Sequence, residues 1–261
     1  MKRALLLLTI LLTASTAARA GNDVSDFRGR ISVGAEAKLV KGLSLSLEEE
    51  FRFSNKWTTF DRIHSTLGLE YKVCPYFQVG AGFTMINNYK PVPRHWVHKE
   101  RVYLDLTGRY KVGIATFTLR ERLQMTHRNG TFNRTETTPN LLALKSRFKV
   151  KLDFGALEPY VAFEARNIFN GPTGVVGEYD EDEEMFAYTH TGYTDKYFDR
   201  FRANAGLVWK ITKHHALDLY FLGDYVQYVT VDTDQSHQYL KSRQVDRGFI
   251  STIGLGYTFK F

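Results

Sequence analysis

The chain has 261 residues, a formal net charge of +7 and one cysteine, Cys74. A single thiol forms no internal disulfide, which excludes the class of small disulfide-stapled secreted proteins. No stretch after residue 20 approaches 18 consecutive apolar residues, and this excludes a helical membrane protein. The basic residues are spread along the chain without a basic helix or zinc-finger spacing, so no nucleic-acid partner is expected.

The amino terminus has the three parts of a secretory signal peptide. A positive start is followed by a mostly apolar core and by the small-x-small sequence Ala18-Arg19-Ala20 before Gly21. The apolar core is shorter than the roughly 20 residues that a spanning helix needs. We therefore predict cleavage between Ala20 and Gly21, with a signal peptide at 1–20 and one domain at 21–261. Because three basic residues lie in the signal peptide, the remaining domain has a net charge of about +4.

From residue 27 onward, large apolar residues alternate with small or polar ones. This period of two is typical of strands with one apolar and one polar face. Eleven such runs follow one another along the chain: 27–39, 43–53, 59–73, 77–89, 101–112, 117–125, 142–152, 160–169, 197–211, 216–228 and 249–261. The pattern predicts an all-β domain without a helical segment.

The connections between these runs alternate in length. The short ones lie at 41–42, 74–75, 113, 153–156 and 212–215. Most of the others are predicted to be longer polar loops, of which 170–195 is the longest and carries the acidic run 180–184. Outer-membrane barrels have short periplasmic turns and longer external loops. The order of the connections therefore favours such a barrel over a soluble sandwich, which has no reason to sort its loops.

The last run favours the same setting. Its small and aromatic residues resemble the carboxy-terminal assembly signal of bacterial outer-membrane barrels, and the four that carry the resemblance are Gly254, Tyr257, Phe259 and Phe261. A bilayer tolerates a sheet only when closure removes its free edges. We therefore predict an antiparallel transmembrane β-barrel in the bacterial outer membrane. Outer-membrane lipid and the barrel-assembly machinery are its expected partners, and the expected state is a monomer.

The number of strands is less simple to predict. Single-chain bacterial barrels have an even number of strands, whereas eleven runs are visible. We expect about twelve strands, with a short additional strand in 21–28. Ten strands are the fallback, if one run does not span the membrane.

Several charged and aromatic motifs resemble an uncharacterised outer-membrane barrel family filed as domain of unknown function 2490. They are LEEEFRF at 47–53, TFDR at 59–62, GLEYK at 68–72, RERLQ at 120–124, KSRF at 145–148 and DRFR at 199–202. Together they cover most of the chain after the signal peptide. The resemblance implies an outer-membrane barrel and brings no established activity with it.

The polar face of the predicted barrel carries many charges. A candidate basic wall lies on two neighbouring runs and consists of Arg120, Arg122, Lys145, Arg147, Lys149 and Lys151. One interpretation is a network of paired charges that fills a narrow lumen, since barrels of ten to twelve strands lie between filled and open ones. The other is a narrow channel for small polar or anionic solutes, lined by this wall. A plugged structural or surface-binding barrel that acts through its extracellular loops is the alternative to the channel.

Two carboxylates, Glu49 and Glu121, fall on the otherwise apolar face. A charge that faces lipid is costly, so a local β-bulge or a shallow position is expected. A protomer interface or a lipid-linked role is the alternative.

No catalytic, cofactor-binding or metal-binding residues are predicted, and the protein is expected not to be an enzyme. Lipid hydrolysis is disfavoured because His64 is followed at the second position by Thr66, not by the serine that a His-x-Ser pair would need. The other histidines that lie close together in the sequence have no further ligands at the spacing that is typical of a metal site.

Overall fold

The computed structural model describes residues 25–234 and 239–261. Eleven strands in this part of the chain form one closed barrel. They are β1 Asp26–Val40, β2 Leu43–Ser54, β3 Thr59–Cys74, β4 Phe77–Pro91, β5 Arg94–Val112, β6 Ala115–Arg128, β7 Asn140–Leu152, β8 Leu157–Asp180, β9 Met185–Lys210, β10 His215–Thr233 and β11 Tyr239–Lys260. The predicted all-β closed barrel is thus confirmed, and each of the eleven runs corresponds to a strand. Over the described ranges, no helix is long and apolar enough to cross a membrane.

The barrel closes through a parallel pair. Strands β1 and β11 run in the same direction, with a register from Asp26 opposite Ile250 to Glu36 opposite Lys260. All other neighbouring strands around the wall are antiparallel. The eleven strands of the described residues lie between the expected twelve and the fallback of ten. The additional strand expected in 21–28 falls partly on residues 21–24, which lie outside the described residues, and Asp26 already begins β1. The expectation of an even number failed because it assumes that the first and last strands close the barrel antiparallel.

The two faces of the wall differ as the alternation predicts. Large apolar side chains on the outer face stay exposed, for example Leu104 and Phe163, which are 61% and 60% exposed. Polar side chains on the same strands point into the lumen and are buried, for example Asp105 and Glu164, which are 5% and 7% exposed. The lumen is therefore the polar interior of this molecule, and the outer face is apolar.

The stagger of the strands sets the width of the lumen. When the registered pairs are followed from Arg30 around the wall, one direction reaches Val97 on β5. The other direction reaches Lys111 on the same strand, 14 residues further along. With strands about 4.8 Å apart, eleven strands with this stagger tilt by roughly 40° and have a backbone radius of about 11 Å. Long side chains from opposite walls can therefore meet near the axis.

Glycines make room for tyrosine rings inside the wall. Tyr103, Tyr160 and Tyr220 each lie directly across from a glycine on the neighbouring strand, namely Gly82, Gly206 and Gly254. A Cβ at any of these glycines would overlap the facing ring. The rings thus cover backbone that has no side chain, an arrangement that stabilises sheets at glycine positions.

The two ends of the barrel differ. At one end, called here the short-turn end, connections of two to four residues join β1 to β2, β3 to β4, β5 to β6, β7 to β8 and β9 to β10. At the opposite end, called the projecting end, the β8–β9 and β10–β11 hairpins continue beyond the barrel wall. The predicted long loop at 170–195 is therefore wrong, because most of its residues extend β8 and β9. The described residues between the runs 216–228 and 249–261 also extend strands, namely β10 and β11. A connection of eleven residues, 129–139, does join β6 to β7.

The projecting hairpins are bonded to each other and to the β6–β7 connection. Tyr239 and Leu240 of β11 pair with Ala187 and Phe186 of β9. The Glu136 carboxylate accepts hydrogen bonds from the backbone N–H and the hydroxyl of Thr233, both at 2.9 Å. The projecting end is therefore one connected unit.

We predict that Tyr239→Phe loosens this unit without unfolding the barrel. The Tyr239 hydroxyl donates a 2.9 Å hydrogen bond to Asp180 and holds the pKa of that carboxyl below its ordinary value. A depressed carboxyl pKa contributes stability above its ordinary value, and this contribution is lost as the pH falls through the lowered pKa. Hydrogen exchange at neutral pH should accelerate in the β8–β9 hairpin tip of the variant. Unchanged exchange there, or acceleration throughout the barrel, would contradict the prediction.

Candidate functional site in the lumen

A carboxylate near the middle of the lumen joins three strands. The Glu164 carboxylate on β8 lies 3.5 Å from Lys145 on β7, 3.5 Å from Arg202 on β9 and 3.7 Å from Arg120 on β6. Arg202 also forms a bidentate ion pair with Asp224 on β10, with Nε to Oδ1 at 2.6 Å and Nη2 to Oδ2 at 3.0 Å. Glu164 and Asp224 are 7% and 2% exposed. Buried charges of this kind are stable only when paired, so each depends on its partners.

Two further ion pairs continue the network around the wall. Arg122 on β6 donates two hydrogen bonds to the Asp105 carboxylate on β5, with Nε to Oδ1 at 2.7 Å and Nη2 to Oδ2 at 2.6 Å. Arg166 on β8 donates to Asp199 on β9, with Nε to Oδ1 at 2.7 Å. Such forked pairs between arginine and a carboxylate fix geometry as well as charge. The network therefore connects neighbouring strands from β5 to β10 inside the lumen.

Some cations in the same part of the lumen have no carboxylate partner. Arg101 donates to the Thr126 hydroxyl at 3.0 Å. Among the residues that the structure describes, Arg101, Arg147 and Arg200 have no carboxylate oxygen within 4.0 Å. Glu48, Glu70 and Asp218 on the lumen face likewise have no cation within 4.0 Å in the described part of the chain, so unpaired charges of both signs line the lumen.

A set of buried apolar side chains, called here the apolar layer, lies on the side of the projecting end next to the ion pairs described above. The part of the lumen that holds these ion pairs is called the charged level. Each member points into the lumen and lies on its strand two residues closer to the projecting end than a lumen residue of the charged level. These reference residues are Thr84, Lys145, Arg166, Asp224 and Thr252. The members of the apolar layer are Ile86, Ala143, Ile168, Val226 and Ile250. All five are at most 3% exposed. These buried side chains make the lumen face of their five strands apolar at this level, while Lys99 on β5 and Arg200 on β9 lie directly across from Ile86 and Val226.

The lumen is open toward the short-turn end. Glu70 and Arg109 lie on the lumen face of β3 and β5 and are exposed. Lys151 on β7 has a 32% exposed side chain and donates to Glu158 at 2.8 Å. The lumen therefore has an exposed, charged vestibule at the short-turn end and buried apolar side chains on five strands toward the projecting end.

The structure brings the predicted basic wall together. Arg120 and Arg122 lie directly across from Arg147 and Lys145, and Lys149 and Lys151 continue along β7 toward the short-turn end. All but Arg147 have a partner, because four form the ion pairs given above and Lys149 lies 3.7 Å from the centre of the Tyr160 ring. Most of this wall thus has a partner, although Arg120 and Lys145 share the single Glu164 carboxylate. The role of the wall in conducting solutes stays a prediction.

Two charged lumen residues, Arg101 and Asp199, were missed by the sequence reasoning. Arg101 was not assigned to the polar face, although its alternation with Tyr103 and Asp105 was a signal. Asp199 was missed because the pairing of β8 and β9 shifts register beside it, which turns an additional residue inward. Its signal is the spacing of Phe198 and Phe201, which lie three residues apart and are both exposed.

His64 was considered only as part of a failed catalytic pair. It is 6% exposed, and its Nε2 atom has no hydrogen-bond partner. Gln124 Oε1 and Thr252 Oγ1 are also buried and without a partner, as is Arg200 Nε. Over the described ranges, no group of three His, Cys, Asp or Glu side chains is arranged to hold a metal ion.

The outward carboxylates are paired with serines. Ser65 donates to Glu49 at 2.9 Å and Ser146 donates to Glu121 at 2.6 Å, each across a directly registered pair. The expected bulge is wrong, because the register is regular at both positions. A carboxyl group on the apolar face is thus satisfied by a hydroxyl on the next strand.

The residues of the predicted assembly signal line the short-turn half of β11. Gly254 faces the Tyr220 ring, and the Tyr257 hydroxyl lies 2.7 Å from His215 Nδ1. Phe259 packs edge-to-face on Phe261, with ring centres 4.6 Å apart. Their role in assembly stays a prediction. Ala20 and Gly21 of the predicted cleavage site lie outside the described residues.

Comparison with known proteins identifies the family to which the chain belongs. No curated protein matches the chain. A family model described as protein of unknown function, DUF2490, matches residues 31–235, which include the larger part of the barrel. The chain belongs to this family, DUF2490, whose members are proteins of unknown function.

Proposed function

We propose that the protein is a plugged β-barrel of the bacterial outer membrane, with its short-turn end in the periplasm. The observation that carries the plug is the apolar layer of Ile86, Ala143, Ile168, Val226 and Ile250 above the charged level. Hydrophobic constrictions stop ion flow by excluding water. The barrel then acts by binding, either at its projecting end or in its vestibule, and not as an open pore.

The outer face supports the membrane setting. Exposed apolar side chains follow the wall on all strands, including Leu67 on β3, Leu119 on β6 and Leu255 on β11. Apolar surface of this extent is unusual for a soluble monomer. A closed barrel leaves no unpaired strand edge, as a bilayer requires.

The orientation is tested by labelling whole cells with a membrane-impermeant thiol reagent. Cys74 is exposed at the short-turn end and is expected to stay unlabelled. In the matched control, Cys74→Ser combined with Glu181→Cys, the thiol moves to the exposed tip of the β8–β9 hairpin and should react. The protein should also remain in the outer-membrane fraction after extraction of soluble proteins. Recovery in the soluble periplasm, or labelling of Cys74 on intact cells, would contradict the proposal.

The plug is tested by leakage of small ions from liposomes that contain the refolded barrel. The wild type is expected to retain the ions. Val226→Ser with Ile250→Ser makes the apolar layer polar and is expected to increase leakage at least tenfold. Val175→Ser with Val176→Ser, the same change at exposed positions of the projecting hairpin, serves as the control and should retain them. Equal leakage from both double variants would show that the layer is not the barrier.

A narrow passage for small anionic solutes is the second candidate. The cations without carboxylate partners, Arg101, Arg147 and Arg200, favour it, because they would attract anions into the lumen. In the same liposomes this function requires wild-type leakage that prefers anions.

A further inference from the structure

The part of the vestibule wall that belongs to β1–β5 carries exposed charges of both signs. On the lumen face of the short-turn half of these strands lie Glu36, Lys38, Glu48, Glu70, Lys72, Asp105, Arg109 and Lys111. Three of them have ion-pair partners, which are Lys260 for Glu36, Arg122 for Asp105 and Asp153 for Lys111. The other five are exposed and have no opposite charge within 4.0 Å in the described part of the chain. This wall is therefore open to a charged ligand.

A patch of bare backbone lies in the middle of this wall. Gly80 and Gly82 face the lumen on β4, and Gly82 is covered by the Tyr103 ring. No ring covers Gly80, because the nearest side-chain atoms to a Cβ there would be Glu70 Cγ at 3.4 Å and Asp105 Cβ at 3.5 Å. The two carboxylate residues thus flank the bare backbone on either side. A glycine inside a strand often marks a place where a ligand approaches the backbone closely.

Two hydroxyl groups and a guanidinium border the same patch. A Cβ at Gly68, which faces the lumen on β3, would lie 2.7 Å from Ser46 Oγ and 3.1 Å from the Tyr103 hydroxyl. The Tyr103 ring centre lies 3.7 Å from Arg122 Cζ. The two hydrogen bonds from Arg122 to Asp105 use only part of the five donors of a guanidinium group. These groups therefore form one connected border of hydrogen-bond donors around the glycines.

Glu70 lies between two lysines with which it does not pair. Lys72 lies two residues further along the same face of β3, about 6.6 Å away along the strand. Lys38 lies on β1, two strands away, because Lys38 and Glu70 are both registered with Ser44 on β2. A negative charge and positive charges are thus held near each other without neutralising each other.

We propose that this wall of the vestibule binds a small zwitterion, namely an amino acid or a short peptide. Its ammonium group pairs with Glu70 and its carboxylate with Lys72, through charge-assisted hydrogen bonds at both ends. The hydroxyl groups of Ser46 and Tyr103 bind the polar groups between the two ends, over the bare backbone at Gly80. A ligand with a single charge meets an unfavourable charge at one end of the site. The inference rests on the proposed binding role of the barrel and assigns that role to the vestibule.

The ligand class is tested by calorimetric titration of the refolded, detergent-solubilised barrel with glycine and, separately, with triglycine. Saturable binding of at least one of these zwitterions, at about one per barrel, is expected. Acetate and methylammonium each carry only one of the two charges and should bind about tenfold more weakly, because one charge-assisted hydrogen bond is lost. No saturable binding of glycine or triglycine, or equally strong binding of acetate or methylammonium, would overturn the proposal.

Two variants test the position of the site. Glu70→Gln removes the partner of the ammonium group and Lys72→Gln the partner of the carboxylate, and each should weaken zwitterion binding about tenfold. Asp218→Asn is the matched control, because Asp218 is also a lumen carboxylate without a cation within 4.0 Å in the described part of the chain, but lies on β10. It should bind as the wild type does. Equal loss in the control, or no loss in Glu70→Gln and Lys72→Gln, would contradict the site.

The titration separates this site from the plug. It is made in detergent, so its result does not depend on whether the apolar layer stops ions. Liposomes that retain ions, with a barrel that binds neither zwitterion, would overturn the site and leave the plug in place. A barrel that binds glycine or triglycine and leaks ions would support the site and overturn the plug.

Discussion

Replacing Glu164 with alanine is expected to lower the free energy of unfolding of the barrel by about 3 kcal/mol, because three cations lose their shared partner. Lys145 and Arg120 have no other carboxylate within 4.0 Å among the described residues, so the change leaves them unpaired. The expected value lies at the lower end of the range for buried pairs, since the Arg120 side chain is 26% exposed and keeps access to water. Urea unfolding of the barrel in detergent measures the loss.

Glu70→Ala is the matched control for this prediction. Glu70 is also a lumen carboxylate, but it is exposed in the vestibule and forms no ion pair with the described residues. Its removal should change the free energy of unfolding by less than about 1 kcal/mol. Equal effects of the two variants would mean that the Glu164 network does not hold the strands together.

Gly254→Val is expected to cost about 3 kcal/mol or to prevent refolding, since overpacking a filled interior forces side chains and backbone apart. A Cβ at position 254 would overlap the Tyr220 ring, which is held inside the wall. The fraction of refolded barrel, read from the heat-dependent shift in electrophoretic mobility, and the urea midpoint both report the effect.

The control for Gly254→Val is Gly108→Val, which lies on the outer face of β5. The nearest atom to a Cβ there is the Leu119 carbonyl oxygen at 4.0 Å, so valine has room. Valine also favours strands, and this variant should fold at least as well as the wild type. Tyr220→Ala combined with Gly254→Val should recover folding; if it does not, the ring is not the cause of the loss.

The strands and their faces could be predicted because they depend on local pattern. In β7, Leu144 and Phe148 alternate with Lys145 and Arg147, and a period of two assigns them to opposite faces whatever the rest of the chain does. The same local pattern did not predict the strands beyond the barrel wall. There, Val175 and Tyr188 belong to the long β8–β9 hairpin, whose register shifts several times.

Closure and the level of each lumen residue could not be predicted in this way. The parallel pairing of β1 with β11 depends on the total number of strands, not on any one of them. The levels of Arg101 and Arg200 in the lumen depend on a stagger of 14 residues around the whole wall, which no single strand encodes. The apolar layer could not be predicted for the same reason. Ile168 and Ile250 fit the sequence pattern of any strand, and only their position along the barrel axis places them in one layer.

Single-channel recording of the refolded barrel in a planar bilayer tests the plugged lumen most directly. Folded protein, verified by its electrophoretic mobility, is expected to insert without producing current steps, because we propose that the buried apolar side chains around Val226 and Ile250 close the lumen. Reproducible steps from the wild type, with a reversal potential that favours anions, would contradict the plug and make the lumen an anion-selective channel.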